Sequence, residues 1–218
     1  MKKIASGIVA LLIIAGCSSS RITSSWKAGN VTPKTYNKIL VLGLINEPDR
    51  TIREKMEEYV VGDLEGLGYN AVCSCDEFDP KAFENMTEKQ ALEKLSHNGI
   101  DAVLTIVLLD KAKEKYYVPD RNNQSPYAIY HNHFYGYYRT MYDRVYTPGY
   151  YEVSTKYFWE SNFYTLAGKE LLYSAQSQSF DPKSTSSLSQ EYGQMIIKDM
   201  VKNNVLRDQK TKSETRGF

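Results

Sequence analysis

Residues 38–45 (Lys38-Ile39-Leu40-Val41-Leu42-Gly43-Leu44-Ile45) and 102–109 (Ala102-Val103-Leu104-Thr105-Ile106-Val107-Leu108-Leu109) are two nearly unbroken apolar runs. Such a run suits a strand buried on both faces, which makes these two the central strands of a sheet. Between the runs, Ile52, Met56, Tyr59, Val60, Leu64 and Leu67 recur at helical spacing. Asp49 is placed to cap that helix and Gly68 to end it in a left-handed conformation, which predicts a helix over about 50–67. Residues 69–75 form a second strand candidate. Thr87-Glu88-Lys89-Gln90 has the form of a capping box and opens another helix, with Ala91, Leu92 and Leu95 as its buried stripe and Asn98-Gly99 as its stop. The resulting order β-α-β-α-β predicts parallel neighbours joined by right-handed crossovers.

After residue 110 the pattern changes. Lys111, Lys113 and Lys115 alternate with Ala112, Glu114 and Tyr116, so the strand is expected to continue past the covered part of the sheet into solvent. Residues 119–149 hold Pro119, Pro126, Gly136, Pro148 and Gly149 among many tyrosines and keep no period, which predicts an excursion loop or a loosely ordered hairpin. Tyr151, Val153, Thr155, Tyr157, Trp159 and Phe163 then alternate with polar residues, the pattern of a strand with one covered face, and Ala167-Gly168-Lys169 turns the chain into its partner at 170–179. Ser187-Leu188-Ser189-Gln190 offers a capping box for a last helix running to about 203, and residues 207–218 read as a loose polar tail. The expected fold class is α/β (α+β): a mixed sheet whose β-α-β-α-β half, within a single domain over 36–206, is followed by an antiparallel hairpin and a C-terminal helix.

The N-terminus carries a different message. Met1-Lys2-Lys3 is cationic, residues 8–15 are apolar, and the run stops at Gly16-Cys17. That is the shape of a secretory leader, too short for the roughly 20 apolar residues a bilayer-spanning helix needs. It predicts a signal segment over 1–16, cleaved between Gly16 and Cys17. Residues 17–35, opening with Ser18-Ser19-Ser20 and continuing through Thr23, Ser24 and Ser25, read as a polar tether with too little apolar surface to fold alone.

Ile14-Ala15-Gly16-Cys17 resembles the lipobox of bacterial lipoproteins, which implies a diacylglyceryl group on the Cys17 thiol and further acylation of the new N-terminus. Multiple acyl chains hold a protein firmly to a membrane, at about 0.8 kcal/mol per buried CH₂, where one chain holds it marginally. Ser at position 18, by the sorting rules this resemblance brings, implies the outer membrane, and the lack of an acidic cluster after Cys17 favours its periplasmic side. With Ser25-Trp26-Lys27, the tyrosine- and proline-rich insert and the closing hairpin around Gly168-Lys169-Glu170, the chain resembles uncharacterised small envelope lipoproteins of Bacteroides-type bacteria. Its α/β domain is similar to those of penicillin-binding-protein activator and curli-secretion lipoproteins, which act through protein contacts and imply no catalytic residues.

Composition excludes some functions. With 27 Lys and Arg against 26 Asp and Glu, the net charge is +1, and no electrostatic case exists for nucleic acid. Three cysteines are too few for a disulfide scaffold. Cys73-Ser74-Cys75, taken as strand, would place its two Cα atoms about 6.6 Å apart with parallel side-chain vectors, poor geometry for a bridge, so both read as small buried hydrophobes. His131 and His133 could share a strand face and are the candidate metal ligands, but a third ligand is not evident, and the exposed-hairpin reading is favoured. No nucleophile elbow or phosphate-binding glycine loop occurs, and Asp110, Asp143 and Glu160 have no spacing that forces pairing.

The tyrosines stand out. Thirteen of 18 fall between residues 116 and 164, among them Tyr127, Tyr130, Tyr135, Tyr137, Tyr138 and Tyr142. Such rings either form a contact surface for protein or glycan or simply cover the sheet, and the sequence weighs these equally. The functional expectation is a non-enzymatic binding or assembly module of the cell envelope, without cofactor, held to the outer membrane by acyl chains on Cys17. The alternatives are an envelope hydrolase using carboxylates or His131 and His133, and a purely structural lipoprotein. The oligomeric state is left open.

Overall fold

A computed structural model of the chain describes residues 19–46, 50–78, 82–118, 138 and 150–210. The expected mixed α/β architecture is present. Six strands form one sheet in the order β1-β6-β5-β4-β2-β3, with β1 at Ser20–Lys27, β2 at Ile39–Leu44, β3 at Ala71–Cys73, β4 at Ala102–Val118, β5 at Tyr150–Thr165 and β6 at Glu170–Phe180. The helices are α1 at Thr51–Gly66, α2 at Ser74–Glu77, α3 at Glu88–His97 and α4 at Thr185–Lys202. Among the described residues, no helix is long and apolar enough to cross a membrane.

The two apolar runs become the central parallel pair, with Ile39 to Leu44 aligned on Ala102 to Val107, and β3 lies on the far side of β2. Because β4 and β3 flank β2, the crossover β2-α1-β3 runs one way across the sheet and β3-α3-β4 runs back. Two right-handed crossovers in opposite directions put α1 and α3 on opposite faces. The core divides accordingly. Ile39, Val41, Leu104 and Ile106 pack with Met56, Val60 and Leu64 of α1 and with Tyr192, Ile196 and Met200 of α4. Leu40 and Val103, one position out of phase, pack with Leu95 and Ile100 on the α3 side.

Helix boundaries show which local signals hold. Thr87 and Gln90 form the expected reciprocal capping box at α3, and Gly68 takes φ +86° after α1. The N-cap of α1 is Arg50, without a side-chain cap, while Asp49 lies outside the described residues. α4 starts earlier than expected: its capping box joins Ser184 to Ser187, not Ser187 to Gln190, because a serine hydroxyl at the third helical position serves in place of the glutamine.

Two segments expected to be loose are held. Within the supposed tether of 17–35, Ser20–Lys27 is an edge strand antiparallel to β6, with a register shift between Ile22 and Ser24. Its side chains are mostly exposed, so the backbone ladder, not burial, makes it a strand. Ser19 is tied through its N–H and hydroxyl to Glu191 Oε2 on α4, at 2.7 and 2.8 Å, and Ser20 Oγ meets Ser179 Oγ at 2.7 Å. In the tail, Arg207 N–H donates to Tyr69 Oη and Gln209 N–H to the Leu67 carbonyl, while 211–218 lie outside the described residues.

Candidate functional site

By topology, the crevice of an open α/β sheet falls outside the carboxyl ends of its strands, and at β2 and β3, α1 leaves toward one side while the chain toward α3 leaves toward the other. Open α/β sheets bind ligands at such points. Here a carboxylate fills it. Glu57, on α1, is fully buried and accepts hydrogen bonds from Gly43 N–H at 2.8 Å, from Ser74 Oγ at 2.8 and 2.9 Å and from Cys75 N–H at 3.1 Å. Arg53 Nε stands 3.9 Å from Oε1. Gly43 is required by this approach, since a Cβ there would lie 2.7 Å from Arg53 Cγ and 2.8 Å from Glu57 Oε1. Burial pushes the Glu57 carboxyl above its ordinary range, against the opposing pull of the Gly43, Ser74 and Cys75 donors and of Arg53.

Cys73 and Cys75 meet at the same point, and the expectation that they stay unbridged is corrected. The strand ends at Cys73 and the chain turns at once into α2, so the Cα atoms are 5.2 Å apart instead of the extended spacing, and the structure joins the two sulfurs in a disulfide. Cys73 is 3% exposed, whereas Cys75 is only partly covered. Cys73 Sγ lies 2.9 Å from Glu57 Oε2. A bridged sulfur carries no hydrogen, so a proton between these atoms belongs to the carboxyl, as its burial favours. By loop-closure entropy a ring this small contributes about 1.5 kcal/mol, half of what a 15-residue loop would.

Among the described residues, Glu57, Cys73 and Cys75 are the group whose donor atoms, all within 4.8 Å of one another, could hold a metal ion. The surroundings oppose it. Two backbone N–H groups and a hydroxyl already point at the carboxylate, and a cation would have to displace them.

A second feature lies in the antiparallel half. β4 and β5 pair continuously from Ala102–Thr165 to Val118–Tyr150, but β2 stops opposite Val107 and β6 opposite Lys156. Past that point the two strands form a ribbon that, among the described residues, has no strand on either side. Asp181 braces its base by accepting from Ser154 Oγ and Thr155 N–H. Toward the tip, Tyr116, Tyr150, Tyr151 and Val153 are exposed, Tyr151 at 71%. The strand extension into solvent was anticipated from the lysine alternation.

Of the residues singled out in the sequence, Tyr138 is described and exposed. Gly16, Cys17, Tyr127, Tyr130, Tyr135, Tyr137, Tyr142, His131, His133 and Asp143 lie outside the described residues. Asp110 accepts from Lys111 N–H and Glu160 from Asn162 Nδ2, each a local bond. Glu57 escaped sequence reading, although a signal existed: at 100° per residue it projects about 20° from Leu64, inside the apolar sector of α1.

No family model matches the chain, and no curated protein does. Among solved structures it is similar to a PelC dodecamer from Paraburkholderia phytofirmans, at 11% identity over 87% of this chain and 99% of that one, with a TM-score of 0.45. It is also similar to lipoprotein GNA1162 from Neisseria meningitidis, at 16% identity over 76% and 98%, with a TM-score of 0.42. A third likeness is to a putative neuraminyllactose-binding hemagglutinin homolog from Helicobacter pylori, at 11% identity over 82% and 89%, with a TM-score of 0.32. At these values no residue role passes from those proteins to this chain.

Proposed function

We propose that this chain is a lipoprotein acylated at Cys17, held on the periplasmic side of the outer membrane, and that it acts as a non-enzymatic binding or assembly module whose β4–β5 ribbon makes the contacts. One observation carries the reading. β1 begins at the same end of the sheet from which the ribbon leaves. Ser20 pairs with Ser179, Ser179 with Tyr157 and Tyr157 with Lys111, the level at which the ribbon begins. Two residues separate Cys17 from Ser20, and the three steps between their Cα atoms reach at most about 10 Å, so the domain stands close to its lipid anchor. From Lys111 to Val118 the ribbon advances about 24 Å.

Exposed Tyr side chains in that position suit a protein or glycan partner, since each offers rigid apolar area and a hydroxyl at low entropic cost. The test is site-specific photo-crosslinking in cells. A probe in place of Tyr151 should give a discrete adduct with an envelope component, and a probe in place of Lys169, at the opposite end of the hairpin, should give none. Equal labelling from both positions, or none from Tyr151, would refute the reading.

A further inference from the structure

The disulfide at the switch point serves neither the anchor nor the ribbon. Its ring spans three residues, so it staples little of the chain. Its sulfurs are unequal, Cys73 being buried under α1 and Cys75 partly open to solvent. The buried sulfur also has a carboxyl 2.9 Å away, held in place by Gly43, Ser74 and Cys75.

We propose that Cys73–Cys75 is a thiol–disulfide exchange site in which Cys75 receives the incoming thiolate, Cys73 is the leaving sulfur and Glu57 supplies the proton that neutralises it; the reductant is a dithiol. In the first step the thiolate forms a bond to Cys75 Sγ and the Sγ–Sγ bond breaks. Its electron pair passes to Cys73 Sγ, which takes the proton from Glu57 Oε2. In the second step the other thiol of the reductant, having lost its proton to solvent, attacks its own partner sulfur in the mixed disulfide. Cys75 departs as a thiolate and is protonated by solvent, and Glu57 is reprotonated likewise. The reductant ends as a disulfide and the protein as a dithiol, two electrons and two protons having moved.

The arrangement favours leaving from Cys73 because its developing charge is quenched at once, whereas Cys73 itself is shielded from attack. Among the described residues, the charged group facing Glu57 is Arg53, 3.9 Å from the oxygen that does not touch sulfur. A metal centre is the competing use of the same atoms, and the donors already seated on both carboxyl oxygens argue against it. The inference stands on this crevice and is independent of the ribbon.

The experiment uses the full mature chain. Peptide mapping after maleimide labelling should show Cys73 and Cys75 protected before treatment with dithiothreitol and both labelled after it, with the protein still folded by circular dichroism. Partial reduction with glutathione should trap the mixed disulfide on Cys75 over Cys73 by on the order of tenfold. Glu57→Gln should keep the disulfide and slow its reduction by about tenfold to a hundredfold. The glutathione measurement needs no variant, so it decides the matter even if Glu57→Gln fails to fold. An adduct shared equally or lying on Cys73, a disulfide that resists dithiothreitol until the protein unfolds, or free thiols retaining one equivalent of zinc would each overturn the proposal. An unchanged rate in folded Glu57→Gln would remove Glu57 from it.

Discussion

The crevice at Glu57 and the β4–β5 ribbon sit at the same end of one sheet and treat water in opposite ways. At the crevice, a charged residue type is sealed from solvent and each of its oxygens is met by protein donors. Along the ribbon, large aromatic and aliphatic side chains are exposed, and among the described residues no strand flanks the pair. Burying a carboxyl is costly unless its hydrogen bonds are met, and exposing several large rings together is uncommon without a use for them. The crevice therefore holds structure together and hosts chemistry, while the ribbon contributes little to stability and is available for contact.

Substitutions can break this contrast. The largest effect is expected at Glu57→Ala, which strands Gly43 N–H, Ser74 Oγ and Cys75 N–H in a dry site. It should cost about 3–5 kcal/mol in urea unfolding. Gly43→Ala pushes a methyl into Arg53 and Glu57 and should cost about 1–3 kcal/mol, with weaker protection of the α1 amides in hydrogen exchange.

The pH dependence sharpens it further. Because the folded carboxyl of Glu57 sits above its ordinary 4.5, the native state keeps a proton that the unfolded chain has lost, and stability falls as pH rises from that value through the raised one. The contribution to the slope is at most about 1.4 kcal/mol per pH unit, and it should vanish in Glu57→Gln. The smallest effect belongs to the ribbon: Tyr150→Ser with Tyr151→Ser should change unfolding free energy by no more than about 0.5 kcal/mol while abolishing the crosslinked adduct. A large loss of stability there would mean that the rings belong to the core.

Much of the frame was legible because burial writes itself into spacing. The unbroken runs of β2 and β4 and the Thr87–Gln90 box matched their elements, and the alternation in β5 holds from Trp159 onward, whereas Tyr151 and Val153, expected on the covered face, are exposed. What stayed hidden depends on backbone geometry or on a single exception to polarity. β1 has three serines and Thr23 where a covered strand would carry aliphatics, and only its pairing with β6 identifies it. The Cys73–Cys75 contact required knowing that the strand stops at residue 73, since one further extended residue would part the sulfurs. Glu57 lies in the charged stretch Arg53-Glu54-Lys55-Met56-Glu57-Glu58 and looks solvated unless its angle about the helix is compared with that of Leu64.

The binding role proposed for the ribbon rests on attachment at Cys17, three positions ahead of Ser20, the first residue of β1. Intact-mass and peptide analysis of the protein extracted from its native envelope measures this directly. The expected product begins at Cys17 and carries the mass of a diacylglyceryl thioether with an additional N-acyl chain. A product that retains residues 1–16, or one with a free Cys17 thiol, would contradict the account.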